Sequence, residues 1–381
     1  MQKIYDIAIC GAGPIGQTLT LLLLKNGIKK SSILLLDAKT EQQTKTDQRT
    51  IALSQGSGQI LQSAGAWPIK VTSIQQIHVS RKGHFGRTLI DCSEHQVAAL
   101  GFVARYTDIL TPLNDAIKNQ GEGLTFLRPA KVSTIQETES HATIELEDQR
   151  SFDARIVVQA EGGIFSEQQA GTRHVDYQQC AVIANVTVSA PIPARAFERF
   201  TDYGPLALLP QEDGYALVWC VPPERKAILM AHSDELFLQE LQNEFGDRLG
   251  RFTRSTARAS FALGLNAQTD APIGRTVRIG NAAQTLHPVA GQGMNLGLRD
   301  ALQLAKCLGR EISPAALQDF YRLRVSDRNM TIRLTDQMAQ IFTKTGTVVP
   351  QPLLGAGLGL IDLALPARKC LAAQMMFGSR D

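Results

Sequence analysis

The first thirty-seven residues limit the fold more than any other stretch. Tyr5 to Cys10 is a short apolar run that leads into Gly11-Ala12-Gly13-Pro14-Ile15-Gly16. A helical segment follows to Asn26-Gly27, and a second apolar run, Ser32 to Leu36, ends on Asp37. Strand, G-x-G-x-x-G, helix, strand and terminal acid form the dinucleotide-binding fingerprint in the order it requires. Gly11 makes the tight turn, Gly13 lets a pyrophosphate approach the backbone, and Gly16 lets helix and strand pack closely. Asp37, about twenty residues beyond the glycines, stands where an acid bonds the ribose hydroxyls of a bound dinucleotide. The motif alone leaves FAD, NAD and NADP open.

A second glycine-rich turn lies far along the chain, between Arg278 and Asp300. It reads as a strand end, a loop built on Gly280, Pro288, Gly291 and Gly293, and then a helix. Met294, Leu298, Ala301, Leu302, Ala305 and Leu308 recur at helical period, so this helix docks one face on a core. Its first turn presents unpaired amides and the positive end of the helix dipole. An anion, or a ring that becomes anionic, is the natural guest there.

The segment His287-Pro288-Val289-Ala290-Gly291-Gln292-Gly293-Met294-Asn295-Leu296-Gly297-Leu298-Arg299-Asp300 resembles the signature H-P-x-A-G-Q-G-x-N-x-G-x-x-D of the ubiquinone-biosynthesis hydroxylases, FAD-dependent aromatic monooxygenases. Every fixed position is filled. The preceding Gly280-Asn281-Ala282-Ala283-Gln284-Thr285-Leu286 is similar to the 2-octaprenyl-6-methoxyphenol hydroxylase branch, where other branches tend to carry Gly-Asp-Ala-Ala-His. The resemblance implies an α/β fold: a Rossmann-type FAD-binding domain, an interleaved antiparallel β-sheet substrate domain and C-terminal helices. On that pattern residues 1–71, 103–173 and 271–340 build the FAD-binding domain. Residues 72–102 and 174–270 build the substrate domain, and 341–381 form a C-terminal helical segment.

The resemblance also implies FAD as cofactor, NAD(P)H and O2 as co-substrates, and a prenylated phenol as substrate, oxygenated through a flavin C4a-hydroperoxide. Cofactor-binding positions are then Gly11, Gly13, Gly16, Asp37, Arg49, Arg105, Gly280, Asn281, Gly291, Gln292, Gly293, Met294 and Asn295. Arg49 enters through Arg49-Thr50-Ile51-Ala52-Leu53-Ser54, a stretch that lies beside the flavin in the family, and Arg105 as the arginine entering a helix read over Phe102 to Leu110. The amides of Gly291 to Met294 would face the N1 and O2 edge of reduced flavin, and Asn281 stands where relatives carry aspartate. His287 and Pro288 are the catalytic candidates, Pro288 because its fixed φ holds the loop beside the ring. His287 either relays the phenol proton or bonds the loop backbone.

One stretch departs from the pattern. Where the family places Ala-Asp-Gly-x-x-Ser, this chain has Ala160-Glu161-Gly162-Gly163-Ile164-Phe165-Ser166, which weakens a direct NADPH site. It motivates a second reading, a flavin-binding but poorly active structural subunit of a ubiquinone-biosynthesis assembly. Strand-like runs from Val175 to Val188, Gly204 to Pro210, Tyr215 to Val221 and Ala227 to Met230 describe the antiparallel sheet, with a helix from Leu236 to Phe245 lying on it. Phe200, Tyr203 and Trp219 are either pocket walls or plain core.

A net charge of +3 and the absence of any Lys/Arg run argue against a nucleic-acid partner. The six cysteines are scattered without a C-x-x-C pair, and His78, His84 and His95 are irregularly spaced, so no metal site is expected. The chain opens into a strand without a leader pattern, and neither Leu19–Leu24 nor Leu353–Leu365 is long enough to span a bilayer. A cytoplasmic protein is therefore expected, with the segment near Leu353–Leu365 suited to a membrane surface, the inner membrane included, or to another ubiquinone-biosynthesis protein.

Overall fold

Ile33 to Leu36 contains no polar residue, and all four side chains are buried. A strand sealed on both faces reads this way, as the inner strands of a parallel sheet do. The computed structural model describes residues 3–47, 49–83, 87–162, 173–268, 270–343 and 365–378. The chain begins with β1 (Ile4–Cys10), α1 (Pro14–Lys25), β2 (Ile33–Leu36), α2 (Glu41–Lys45), β3 (Thr50–Ser54) and α3 (Gln55–Ser63). Next come β4 (Thr72–Ile74), β5 (Gln76–Arg81), β6 (Arg87–Asp91), β7 (Gly101–Arg105), α4 (Tyr106–Lys118) and β8 (Thr125–Leu127). They are followed by β9 (Val132–Glu137), β10 (Ala142–Leu146), β11 (Ser151–Gln159), β12 (Arg173–Val188), β13 (Arg195–Phe200), β14 (Pro205–Gln211) and β15 (Gly214–Val221). The remainder forms α5 (Pro223–Ala231), α6 (Asp234–Phe245), β16 (Phe252–Ser255), β17 (Ala259–Ala267), β18 (Thr276–Arg278), β19 (Gln284–Thr285), α7 (Gln292–Arg310), α8 (Pro314–Thr343) and α9 (Leu365–Phe377).

The first sheet has the order β8-β2-β1-β11-β10-β9, with β18 on β11. Its β8, β2, β1, β11 and β18 run parallel, as βαβ crossovers require. Leu19 and Leu23 of α1 share one core with Leu298, Ala301, Leu304 and Leu308 of α7, covering one face. The β9–β10 meander supplies Ala142, Ile144 and Leu146 to a core with Ala8, Leu34 and Leu36 on the other. Both glycine turns are thereby held at the ends of helices packed on one sheet.

The second sheet has the order β19-β17-β12-β15-β14-β13-β5-β6, with β16 on β12. Its pairings are antiparallel except β13 with β5. The chain enters it three times, first as the β5–β6 hairpin, again from β12 to β17, and last as β19 after β18 has paired in the first sheet. Alternation along the strands gives it two different faces. On one, Val182, Phe197, Leu208, Leu217 and Trp219 pack under Leu229 of α5 and Phe237 and Leu241 of α6. The other carries Ala181, Ile183, Val218, Cys220 and Leu263. The short sheet β3-β7-β4 joins the two halves, with Ile74 and Val103 packed on Ala196 of β13.

Two local expectations are corrected. Phe102 to Arg105 is strand, not helix, because Gly101–Arg105 pairs with Thr50–Ser54 and Thr72–Ile74; helix begins at Tyr106 with Arg105 as its N-cap. Ala227 to Met230 belongs to helix α5: Pro222 and Pro223 deprive a strand of ladder donors but suit a helix start, and Leu229 is buried against the sheet. His84, the segment Gly163 to Ser166 and residues 353–364 of the apolar C-terminal stretch lie outside the described residues.

Candidate active site

The two sheets enclose a cleft of ≈ 930 Å³. Gly11, Gly13 and Asp37 line one end, Arg49, Tyr106 and Pro288 contribute to its walls, and Ala181, Ile183, Val218, Phe261 and Leu263 of the second sheet face them. The glycine turn and the proline of the distant signature therefore open onto the same space. Its volume suits a bound dinucleotide or drug-sized ligand.

At the β1 end the glycines are obligatory. Gly11 has φ +106°, and an added Cβ would lie 2.7 Å from backbone atoms of Ala160 and Glu161. At Gly16 a Cβ would lie 1.9 Å from the Gly11 carbonyl oxygen, so only glycine lets α1 start this close to β1. Helix α1 has no side-chain cap and carries Pro14 in its first turn, which leaves its leading amides for an anion. Asp37 follows β2, largely buried; burial raises its carboxyl pKa, while a hydrogen bond donated by the Lys39 amide (3.0 Å) partly offsets this. Glu161 also lines the cleft, with its pKa raised by burial and by Asp37; Lys131 opposes that rise, as Arg128 and Lys39 do for Asp37. The acid of the altered segment thus remains in the site.

Arg49 faces the cleft beside Tyr106, its guanidinium 5.1 Å from the ring centroid, and donates to Asp47 at 2.6 Å. Arg105 is placed elsewhere. It forks onto the Glu212 carboxylate at 3.0 Å to each oxygen, half-exposed at the β14–β15 turn, and does not line the cleft.

In the second glycine segment the side chains mostly hold the backbone in place. Gly280, at φ +59°, and Gly297 both pack on Ile15 of α1, where an added Cβ would approach its Cδ1 to 2.4 and 2.3 Å. Asn281 sits half-buried in the turn after Gly280. Gly291 begins α7 in the left-handed region, again without a side-chain cap. Gln292 is buried against the carbonyl of Met375, and Met294 packs into the α1–α7 core. A Cβ at Gly293 would meet nothing within 4 Å, so the backbone there is open to an approaching group.

Asn295 spends its amide on the protein. Its Oδ1 accepts from the Ser54 amide (2.8 Å) and Ser57 hydroxyl (2.7 Å), and its Nδ2 donates to the carbonyls of Ala52 (3.1 Å) and Gly291 (2.8 Å). It ties β3 and α3 to the start of α7. Asp300, the signature's last position, does similar work: its carboxylate accepts from Gln284 at 2.9 Å and pairs with Arg324 of α8 at 2.9 Å. Arg299 pairs with Asp327 at 2.9 Å in the same buried network.

His287 is 1% exposed. Its Nδ1 accepts the Val289 amide (3.1 Å), which leaves the proton on Nε2, 3.1 Å from Gln179 Oε1. Burial pushes its pKa down to about 4, so the ring is neutral and both nitrogens are engaged. Gln179 reaches this position because β12 bulges between Asp176 and Gln179, with Gln178 at φ +51°. No sequence signal marks Gln179 as the partner. Of the aromatic candidates, Trp219 is wholly buried under α6 and Tyr203 is exposed; neither lines the cleft, and nor does Phe200.

Glycines that a Cβ would break, uncapped first turns of two helices, an acid after β2 and an open backbone at Gly293 fit FAD. Together with the fold they define a flavin-dependent oxidoreductase. The family model for the FAD binding domain matches residues 4–331. The chain is 28% identical to ubiquinone hydroxylase UbiL of Rhodospirillum rubrum over 98% of this chain and 90% of that protein. It is 27% identical to 3-demethoxyubiquinol 3-hydroxylase of Escherichia coli over 77% of each. In fold it is similar to Klebsiella pneumoniae HpxO complexed with FAD and uric acid, with a TM-score of 0.73 and 12% identity over 98% of this chain and 97% of that one. The chain belongs to the family of FAD-dependent ubiquinone-biosynthesis hydroxylases. Use of NAD(P)H is typical of that family.

Proposed function

We propose that this protein is the monooxygenase that hydroxylates a polyprenylated methoxyphenol on the route to ubiquinone. The observation that carries this reading is the shared cleft: Gly11 and Gly13 at one end, Pro288 beside it, and an apolar sheet face opposite. Bound FAD would take two electrons from NAD(P)H and use O2 to place one oxygen on the ring and the other in water. Gly11, Gly13 and the first turn of α1 would hold its pyrophosphate, and Asp37 its ribose. The backbone from Gly291 to Met294 would lie against the redox-active end.

The chain's own contribution is position and dryness. Pro288 and the neutral, doubly bonded His287 fix the loop, and Asn295 fixes the helix start behind it. Ala181, Ile183, Val218, Phe261 and Leu263 present no hydrogen-bonding side chain to the cleft, which suits a phenol with an apolar tail and keeps water from the reacting groups. Purified protein loaded with FAD is mixed with NADPH in a stopped-flow instrument, with and without a prenylated 2-methoxyphenol. Faster flavin bleaching with the phenol, and a product heavier by one oxygen, are the expected results. A preparation that cannot be loaded with FAD, or one that consumes NADPH without oxygenating the phenol, defeats the reading.

A further inference from the structure

Glu198 stands where an acid is least expected, in the interior of β13 between Phe197 and Phe200. Phe197 points to the helix-covered face, so Glu198, its neighbour, points to the face that looks into the cleft. Cross-strand register places Glu198 opposite Ala207, Ala207 opposite Val218, Val218 opposite Ile183, and Ile183 opposite Ala259. Ile183, Val218 and Ala259 line the cleft, and Ala207 and Glu198 continue the same sheet face just beyond its lining residues. Glu198 is therefore two strands beyond Val218, roughly 9 to 10 Å at the usual strand spacing. The position between them holds only the methyl group of Ala207.

The Glu198 carboxyl is poorly compensated. Its Oε1 is sealed from solvent and has no hydrogen-bond partner among the described residues. A buried acceptor left unmade is costly and calls for an explanation. Charged or titratable groups on the same face are Arg81 of β5, diagonal to Glu198, and Cys220 of β15. The Cys220 thiol is pushed well above its usual range by burial and by Glu198, and stays neutral. On β14 the adjoining positions Pro205, Ala207 and Leu209 carry no charge. From the small sheet, Ile74 and Val103 pack on the neighbouring Ala196.

We propose that Glu198 is the catalytic base of the hydroxylation, accepting a hydrogen bond from the phenol of a substrate whose ring lies over Ile183, Val218 and Ala207. This rests on the monooxygenase reading given above. In the step, the phenol O–H bond breaks and a Glu198 O–H bond forms. The electron pair stays on the substrate oxygen, where it enriches the ring for attack on an electrophilic oxygen. Once the ring carbon has gained its oxygen, its C–H bond breaks and that hydrogen leaves as a proton to the water formed from the second oxygen atom, while the proton on Glu198 returns to the phenol oxygen. Burial alone pushes the Glu198 carboxyl up to about 7, which narrows the gap to a phenol and sets the group's titration at working pH.

The test uses the FAD-loaded full chain, NADPH and 2-methoxy-6-prenylphenol in single turnover. In the wild type the hydroxylation rate should rise with pH through one ionisation near 7, as the carboxylate forms. Glu198→Gln should abolish that limb and slow hydroxylation by about 100-fold or more, while FAD content and thermal midpoint hold. Glu198→Asp should restore part of both. A wild-type rate without that ionisation overturns the assignment, and this readout does not depend on any variant folding. So does a Glu198→Gln enzyme within about threefold of wild type and with an unchanged profile. If the wild type never oxygenates the phenol, the monooxygenase reading fails; if it does and Glu198→Gln matches it, only the base is wrong.

Discussion

His287 gives the sharpest quantitative test of how the signature loop works. If the ring is a buried, neutral clamp, its protonation is linked to folding. Its pKa is about 4 in the folded chain against an ordinary 6.5. The unfolded chain takes up the proton first as pH falls, so between 6.5 and 4 it binds more protons than the folded one, and stability falls with acidification. At 1.36 kcal/mol per unit, the shift corresponds to about 3 kcal/mol. That contribution is complete above pH 6.5 and is lost by pH 4. A domain's total stability is about 5–15 kcal/mol, so the effect is large enough to measure.

The perturbation is His287→Gln, which keeps an acceptor and a donor near Val289 and Gln179 but cannot titrate. Urea unfolding of both proteins, each with saturating FAD, is followed by circular dichroism from pH 8 to 4. Carboxylates common to both cancel in the difference. The wild-type advantage at pH 8 should shrink by about 3 kcal/mol by pH 4, with most of the change below pH 6.5. A difference that stays flat with pH would refute the neutral-clamp account. The same account expects no limb of the wild-type rate profile to vanish in His287→Gln, because neither nitrogen is free to move the substrate's proton.

Three further outcomes follow from the geometry. Gly16→Ala drives a methyl group to within 1.9 Å of the Gly11 carbonyl oxygen and should yield protein purified without flavin, read from its visible spectrum. Asn295→Ala strips four hydrogen bonds from the β3–α7 junction and should cost about 2–4 kcal/mol in urea unfolding, since buried donors and acceptors are left unmade. Arg105→Ala, by contrast, removes a half-exposed pair with Glu212. It should change stability by about 1 kcal/mol or less and leave FAD affinity, titrated by flavin fluorescence, unaltered.

Local physics was legible in the residues themselves. A strand that ends on G-x-G-x-x-G before a helix has few ways to fold, because the glycines permit backbone approaches that any Cβ forbids. Apolar period and the Pro-Gly loop likewise announced α7 and its exposed first turn. Where neighbouring strands decided the outcome, short-range pattern was not enough: Phe102 to Arg105 is strand because β3 and β4 lie alongside and take up its backbone hydrogen bonds. Side-chain roles depended still more on distant partners. Asn295 and Asp300 stand within the signature, yet their hydrogen bonds go to Ser54, Ser57, Gln284 and Arg324.

His287 is a proton carrier or a clamp according to whether its nitrogens are free, and only the bulge that brings Gln179 to it settles that they are not. Nothing in the sequence singles out Glu198; only the strand register shows which face of the sheet it occupies. The residues by themselves determined where the chain can turn tightly and which surfaces must be buried. Tertiary structure decided which groups, far apart along the chain, share one low-dielectric space, and there solvation and partners set each group's charge.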